Sequence, residues 1–257
     1  MNAIEKYTAF RTIVDREVGR ILRIWVQTLL PSAITMTLYF LIFGTFIGSQ
    51  VRNINGFSYM EFIVPGIIMM AVITNSFMNV VSSFFSTKFM RSVEELLVSP
   101  TPNYVILLGY VCGGMFRGLL VGLIVSLISL FFTDINIHNI GIVIVFVILT
   151  SLVFSLAGFL NSIFAKKFDD ISIIPTFVLT PLTYLGGVFY SISVLPSIFQ
   201  GISLLNPILY MVNGFRYGFL GISDINIWIG FGMLVIFTII LFYTNLYLMK
   251  KGIGLKS

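Results

Sequence analysis

Charge is what this sequence has least of. Only 10% of its 257 residues are Asp, Glu, Lys or Arg, against 58% hydrophobic, and the mean hydropathy is +1.03. Such a chain cannot present an ordinary globular surface to water, so its solvent is lipid. Cysteine is nearly absent: Cys112 stands alone in an apolar run, which excludes an intrachain disulfide and a cysteine metal site and leaves it as a small packing residue. The single histidine, His138, has no second ligand near it and reads as an outer-loop residue, so no metal is expected. No lysine follows a glycine, so the Gly-Lys step of a phosphate-binding loop is missing and the chain offers no nucleotide site of its own. No acidic residue falls in the middle of an apolar run and no internal repeat stands out, which argues against an ion-coupled carrier. The net charge of +5 is gathered in short stretches and reports orientation in a membrane before any nucleic-acid partner.

What is present is a series of long apolar runs. Before the first of them, Ile4, Tyr7, Phe10, Val14, Val18, Ile21 and Trp25 recur at three- and four-residue steps, with Lys6, Arg11, Asp15, Arg16, Glu17, Arg20 and Arg23 on the other faces. Residues 1–24 therefore read as an amphipathic helix lying on the membrane surface. The alternating charge there and the length of the run that follows do not suit a secretory leader, so no cleavage is expected. Six spans follow within 25–257, at about 25–48, 62–85, 105–132, 140–164, 171–190 and 227–249. A charged segment at about 88–98 reads as a short helix between spans two and three, stopped by Pro100 and Pro102. Span five holds Pro175, Pro181 and Gly186-Gly187 and should be kinked and loosened at its far end. The next stretch, 191–226, is cut by Pro196, Gly201 and Pro207 and reads as short outer or re-entrant helices. The fold class expected is thus an all-α integral membrane protein with six transmembrane helices.

The positive-inside rule tests this count. With both ends in the cytoplasm, twelve Lys and Arg lie inside and two, Arg52 and Arg216, outside. A complete extra span over 191–213 would weaken the bias to nine against five, and seven spans are rejected on that ground.

Few residues invite a chemical role. Arg117 lies deep in span three, where an arginine costs about 2.5–3.5 kcal/mol to insert and must be paired or hydrated. Asn75 and Asn79 of span two lie at similar depth and offer amide oxygens, so the three form either a structural tie or part of a pathway. Glu61, near the outer mouth of span two, reads as a hydrated interfacial carboxylate. Gly109 and Gly113, and Gly114, Gly118 and Gly122, repeat at four-residue spacing, which suits close helix packing inside one subunit or across a dimer. The segment Lys88 to Val98 keeps an apolar stripe beside Glu94 and Glu95, as a docking element for another protein would.

The order of elements, together with the stretches RIWVQTLLPSAITMTLYFLIFG (Arg23–Gly44), FSYMEFIVPGIIMM (Phe57–Met70), FDDISIIPTFVLTPLTYLGGVFYS (Phe168–Ser191) and LNPILYMVNGFRYGFLG (Leu205–Gly221), resembles the type-2 ATP-binding cassette (ABC) permeases over nearly the whole chain. The resemblance implies a non-catalytic permease of the bacterial inner membrane. It would pair with a second copy of itself and bind a separate ABC ATP-binding subunit that holds ATP and Mg, with no cofactor of its own. It also implies a coupling helix in which Lys88, Arg91, Glu94, Glu95 and Leu96 meet the ATPase, with the surface helix bracing the same contact. Asn206, Pro207 and Arg216 would belong to an outer re-entrant signature. Family members export drugs, lipids and polysaccharides; a path between two copies would have mostly aliphatic and aromatic walls with few charges, so an amphiphilic or apolar cargo moved by alternating access is the expectation. An ion-coupled secondary transporter and a non-transporting membrane scaffold are the competing readings.

Overall fold

The computed structural model describes residues 1–51, 53–54, 56–134 and 137–255. Arg52 and Lys256, two of the charges in the orientation count, lie outside the described residues. Those described are helical almost throughout, the one extended feature being an isolated bridge between Ile54 and Phe57.

Helix α1 (Ala3–Arg23) opens at Asn2, whose backbone N–H donates to Glu5 Oε2 at 2.8 Å in a capping box. Span one is broken into α2 (Trp25–Thr28), α3 (Leu30–Tyr39) and a widened π-helical segment, Phe40–Ile47. Span two is α4 (Tyr59–Phe89), opened by a second capping box in which Ser58 and Glu61 cap each other. This gives Glu61 a local structural partner. A short helix α5 (Ser92–Val98) follows, then α6 (Asn103–Ser129) and α7 (Ile140–Phe164). Span five is α8 (Asp170–Ile174), a π-helical turn Pro175–Leu179 and α9 (Thr180–Tyr184). Beyond it lie α10 (Ser197–Leu204), α11 (Pro207–Leu220) and α12 (Ile227–Lys251). Asparagine side chains cap α7, α11 and α12 through Asn139, Asn206 and Asn226.

Helix α4 is the axis of the bundle. It packs against α6 and α7 and is buried along nearly its whole length, while spans one and six expose most of their apolar surface. At 31 residues it is about 46 Å long, longer than the ~30 Å hydrocarbon core and close to the full bilayer with its headgroups.

Hydrogen bonds between helix ends fix the topology. The face where α4 begins is termed distal and the face where it ends basal. On the basal face Lys88 Nζ donates to the carbonyls of Ile163 and Ala165 at the end of α7, and the Tyr110 hydroxyl meets Thr87 and α1. On the distal face the Tyr59 hydroxyl reaches Phe189 O just beyond span five, and the N–H groups of His138 and Asn139 donate to Phe219 and Gly218 at the end of α11. The chain therefore leaves span five and finishes α11 on the same face. Helices α10 and α11 meet at 89°, and because the segment begins and ends on the distal face the pair re-enters the bundle and does not cross it. Six crossings result, and both described chain ends lie on the basal face.

Span five is shorter than the sequence suggests: its three five-residue segments, Asp170–Tyr184, end before the 190 boundary. Gly186 and Gly187 close it with a turn in which Gly187 takes φ +69°. Helix α4 runs four residues beyond its expected end, because Phe85 and Phe89 continue the helix and no glycine or proline stops it before Met90.

Helix α1 turns one face to the bundle and the other away from it. Ile4 and Tyr7, on the apolar stripe, are exposed, whereas Ile13, Glu17 and Ile21 are buried. The helix is turned so that its charged Arg16, Glu17 and Arg20 find partners in spans two and three, and part of its apolar stripe is left outward.

Candidate coupling surface and intramembrane polar contacts

The expected coupling segment is two structures. Lys88 belongs to the last turn of α4, and its ammonium is spent on the Ile163 and Ala165 carbonyls at 2.6 and 2.7 Å, satisfying the orphan acceptors at the end of α7. Arg91 forms the joint, in a left-handed conformation with φ 59° that costs about 1–2 kcal/mol for a non-glycine residue. Only Ser92–Val98 is the short helix. Its inner side inserts Val93 into the basal core, with Leu96 and Leu97 packed against it. Glu94, Glu95 and Val98 point away from the bundle and are exposed. Of the residues expected on the docking face, Arg91, Glu94 and Glu95 are exposed, Leu96 is half-buried, and Lys88 is turned to another helix.

Helix α1 shares this surface. Ile13 enters the same basal core as Val93, and a groove of about 490 Å³ runs between the two helices, lined by Ile4, Thr8, Thr12, Leu96 and Thr101 among others.

Behind the groove lies a charged network that the sequence reading missed. Glu17 is buried, and its carboxylate accepts from the Ser83 hydroxyl at 2.8 and 2.7 Å, from Arg16 Nη2 at 3.3 Å and from Arg20 Nη2 at 3.0 Å. Arg16 Nη2 also donates to the Tyr110 hydroxyl at 2.5 Å. Burial works against the Arg16 charge, but Tyr110 and Glu17 outweigh it and hold the guanidinium more firmly protonated than in water. The available signal was the Glu17 and Arg20 spacing on α1 opposite Asn79 and Ser83, four apart on span two.

Arg117 does not bond to Asn75 or Asn79. Asn79 Oδ1 accepts from Arg20 Nη2 at 3.0 Å, and Asn75 Oδ1 accepts from the Ser32 hydroxyl at 3.1 Å. Arg117 Nη2 donates instead to the Thr28 carbonyl at 3.1 Å, at the end of α2. The expectation placed Arg117 beside the two asparagines by depth alone. Arg20, entering from α1, takes the Asn79 oxygen and repels Arg117, which turns to a helix-end carbonyl left free by the break in span one.

The glycine stripes of α6 both face inward. A Cβ on Gly109 or Gly113 would strike Ile13 or Glu17 of α1, and one on Gly114, Gly118 or Gly122 would strike Val80, Ser76 or Val72 of α4. Close packing within the chain accounts for every one of them.

At the distal end Arg216 is buried and is not the outer-loop charge of the orientation count. Its Nη2 donates to Gly187 O at 2.6 Å and Nε to Phe62 O at 3.3 Å, and the guanidinium lies 3.9 Å from the Phe62 ring centre. Arg216 thereby ties α11 to α4 and to the turn after span five. Asn206 caps α11 and donates to Leu182 O at 2.6 Å, and Pro207 occupies the first turn, where no backbone N–H is needed. Asp224, not singled out in the sequence, completes the region by accepting from the Ser191 hydroxyl at 2.6 Å and the Ile192 N–H at 3.2 Å.

Six crossings among the described residues, a re-entrant distal pair and a short basal helix rooted beside α1 define an all-α polytopic membrane protein. The chain belongs to the ABC-2 type transporter family, whose profile matches residues 8–220. It is 57% identical over 251 residues to the inner membrane transport permease YadH of Escherichia coli K12, covering 98% of each chain, and equally similar to YadH of Shigella flexneri. More distantly it is 22% identical over 209 residues to nodulation protein J of Rhizobium leguminosarum bv. viciae, covering 81% of each. The chain is accordingly a multi-pass, non-catalytic permease subunit of an ABC transporter of the inner membrane, and ATP is hydrolysed by a separate subunit.

Proposed function

We propose that two copies of this chain form the membrane pathway of an exporter and that each binds one YadG-type ATP-binding subunit at its basal face, which is cytoplasmic together with both termini. The observation that carries this reading is the shared root of α5 and α1: Val93 and Ile13 sit in one basal core while Glu94 and Glu95 face outward. Closure of the ATPase pair on ATP pushes α5. Because α5 is joined to α4 through Arg91 and to α6 through Pro100-Thr101-Pro102, the push reaches the two central spans directly. The surface helix braces α6 through Gly109 and Gly113 and is carried along. Alternating access follows when the spans so driven part on one face and close on the other. The walls available to a cargo are aliphatic and aromatic with few charges, which suits an amphiphile such as a drug, lipid or lipid-linked glycan.

The test is capture of the ATPase by the tagged chain in mild detergent, with wild type compared with Glu94→Lys/Glu95→Lys. Both glutamates are exposed, so the double variant is expected to fold normally and to lose the ATPase. Retention of the ATPase by a folded double variant would remove α5 from the contact.

A further inference from the structure

A second basal cavity lies behind α5, away from the groove shared with α1. It measures about 590 Å³ and opens between the end of α4, the end of α7 and the chain that follows α12. Three of its lining residues are cations, Lys88, Arg91 and Lys166, and three are aromatic, Phe85, Phe89 and Phe164; no lining residue is a carboxylate. Asp170 lies outside the lining, accepts from the backbone N–H groups of Lys166 and Lys167 at 2.8 and 3.0 Å, and offsets only part of the charge of Lys88 and Lys166. Lys88 is anchored on two carbonyls of α7, so its charge is fixed at the cavity wall. Phe89 and Phe164 are more than half exposed, and Phe168 packs against Phe85 and Phe89 with ring centres 5.1 and 4.8 Å apart.

Depth selects the occupant. Helix α4 exceeds the hydrocarbon core by about 16 Å in total, so its last turn, with Lys88 and Phe89, stands at headgroup level. Aromatic rings beside three cations with one acid near them match, at that level, a molecule with an acyl-glycerol part below and a negative charge above.

We propose that this cavity binds the phosphate headgroup of an anionic phospholipid, with Arg91 and Lys166 holding the phosphate, Lys88 adding a fixed positive charge, and Phe89 and Phe164 lying along the glycerol and upper acyl chain. The assignment to the inner leaflet rests on the reading that the basal face is cytoplasmic; the site itself does not. A lipid seated there bridges α4, α7 and the segment after α12 at the joint from which α5 departs, so its occupancy sets how stiffly α5 is held.

The full-length chain in nanodiscs of phosphatidylcholine mixed with phosphatidylglycerol, followed by native mass spectrometry of retained lipid, tests this without the ATPase. Wild type is expected to retain phosphatidylglycerol over phosphatidylcholine. Arg91→Gln/Lys166→Gln should reduce that retention by about fivefold for each charge removed, while Lys250→Gln/Lys251→Gln, on the same face but outside the cavity, should leave it unchanged. Lys88 is left intact because α7 depends on it. Equal retention of the two lipids, an equal loss in the Lys250/Lys251 variant, or unaltered retention in the Arg91/Lys166 variant would each overturn the proposal. Displacement of the lipid by millimolar inorganic phosphate would also overturn it, by showing a free-phosphate site. So would unaltered lipid retention accompanied by loss of ATPase capture in the Arg91/Lys166 variant, which would assign the cavity to the protein contact. Failure of ATPase capture by wild type would sink the proposed function and leave this measurement standing.

Discussion

Glu17 carries the largest expectation at the level of single residues. Its buried carboxylate is the only acid in contact with Arg16 and Arg20 among the described residues, and Arg20 in turn repels Arg117. Removing the buried carboxylate takes the shared partner from Arg16 and Arg20 and leaves Ser83 without its acceptor; the arginines keep partial solvent contact, so the cost is below the about 3–5 kcal/mol of breaking a fully buried pair. Glu17→Ala should therefore lower the thermal midpoint in detergent far more than Asp15→Ala, whose partner Arg11 is solvent-exposed and whose exposed ion pair is worth at most about 1 kcal/mol. Equal effects of the two variants would show that the Glu17 network contributes no special stability. Arg216 makes a second prediction. Its planar fork reaches carbonyls on two different elements at once, and an ammonium presents no such fork. Arg216→Lys should lose about 1.5–3 kcal/mol, the worth of a hydrogen bond to a charged group, read as a lower thermal midpoint.

At the scale of elements, the helices owe their contacts to absent side chains. A Cβ at Gly158 of α7 would come within 2.5 Å of the Phe77 carbonyl in α4, and backbone cannot move aside as a side-chain tip can. Gly158→Leu is expected to abolish folded, monodisperse protein in size-exclusion chromatography. Gly19 of α1 has open space around its Cβ position and helical backbone, so Gly19→Ala should raise the thermal midpoint, by about 0.5–1 kcal/mol of helix propensity. These two positions also show what a sequence can and cannot reveal about such a bundle. The spans, their order and the loosened end of span five follow from apolar length and from Pro175, Pro181 and Gly186-Gly187, all local signals. The orientation of α1 does not. Its apolar stripe points one way by periodicity, but three buried hydrogen-bonding partners on α4 and α6 turn its polar residues inward, and those partners are 59 to 94 residues away. For the same reason depth places Arg117 beside Asn75 and Asn79 while its bond goes to Thr28: depth is legible from counting residues, whereas azimuth around a helix depends on a third helix. Lys88 reads as part of the short charged helix because a charge in a charged segment looks solvated, while its partners are carbonyls exposed where α7 ends beside it.

For the whole molecule, topology turns on the chain between span five and α12, which returns to the face it left. Two sets of bonds at the distal end hold it there: Asp224 joins Ser191 and Ile192 across the gap between the entry and exit of the re-entrant pair, and Arg216 holds the close of α11 to the turn after α9. A membrane crossing in this segment would place residues 194 and 223 on opposite sides and break both sets. In a Cys112→Ala background, single cysteines placed at Val194 and at Ser223 should therefore react with an impermeant maleimide from the same side of the membrane. Single cysteines at Arg11, Glu94 and Lys167 should react only from the other side. If the basal face is cytoplasmic, that second group is labelled in inside-out vesicles and protected in intact spheroplasts. Labelling of Val194Cys and Ser223Cys from opposite sides would mean seven crossings, would move α12 to the reverse direction, and would put the tail lysines Lys250 and Lys251 on the face away from α5. The ATPase would then have only α1 and α5 to hold on one side, with the chain's end on the other, and the joined basal core that ties Leu248 and Met249 to Ile13 and Val93 could not exist.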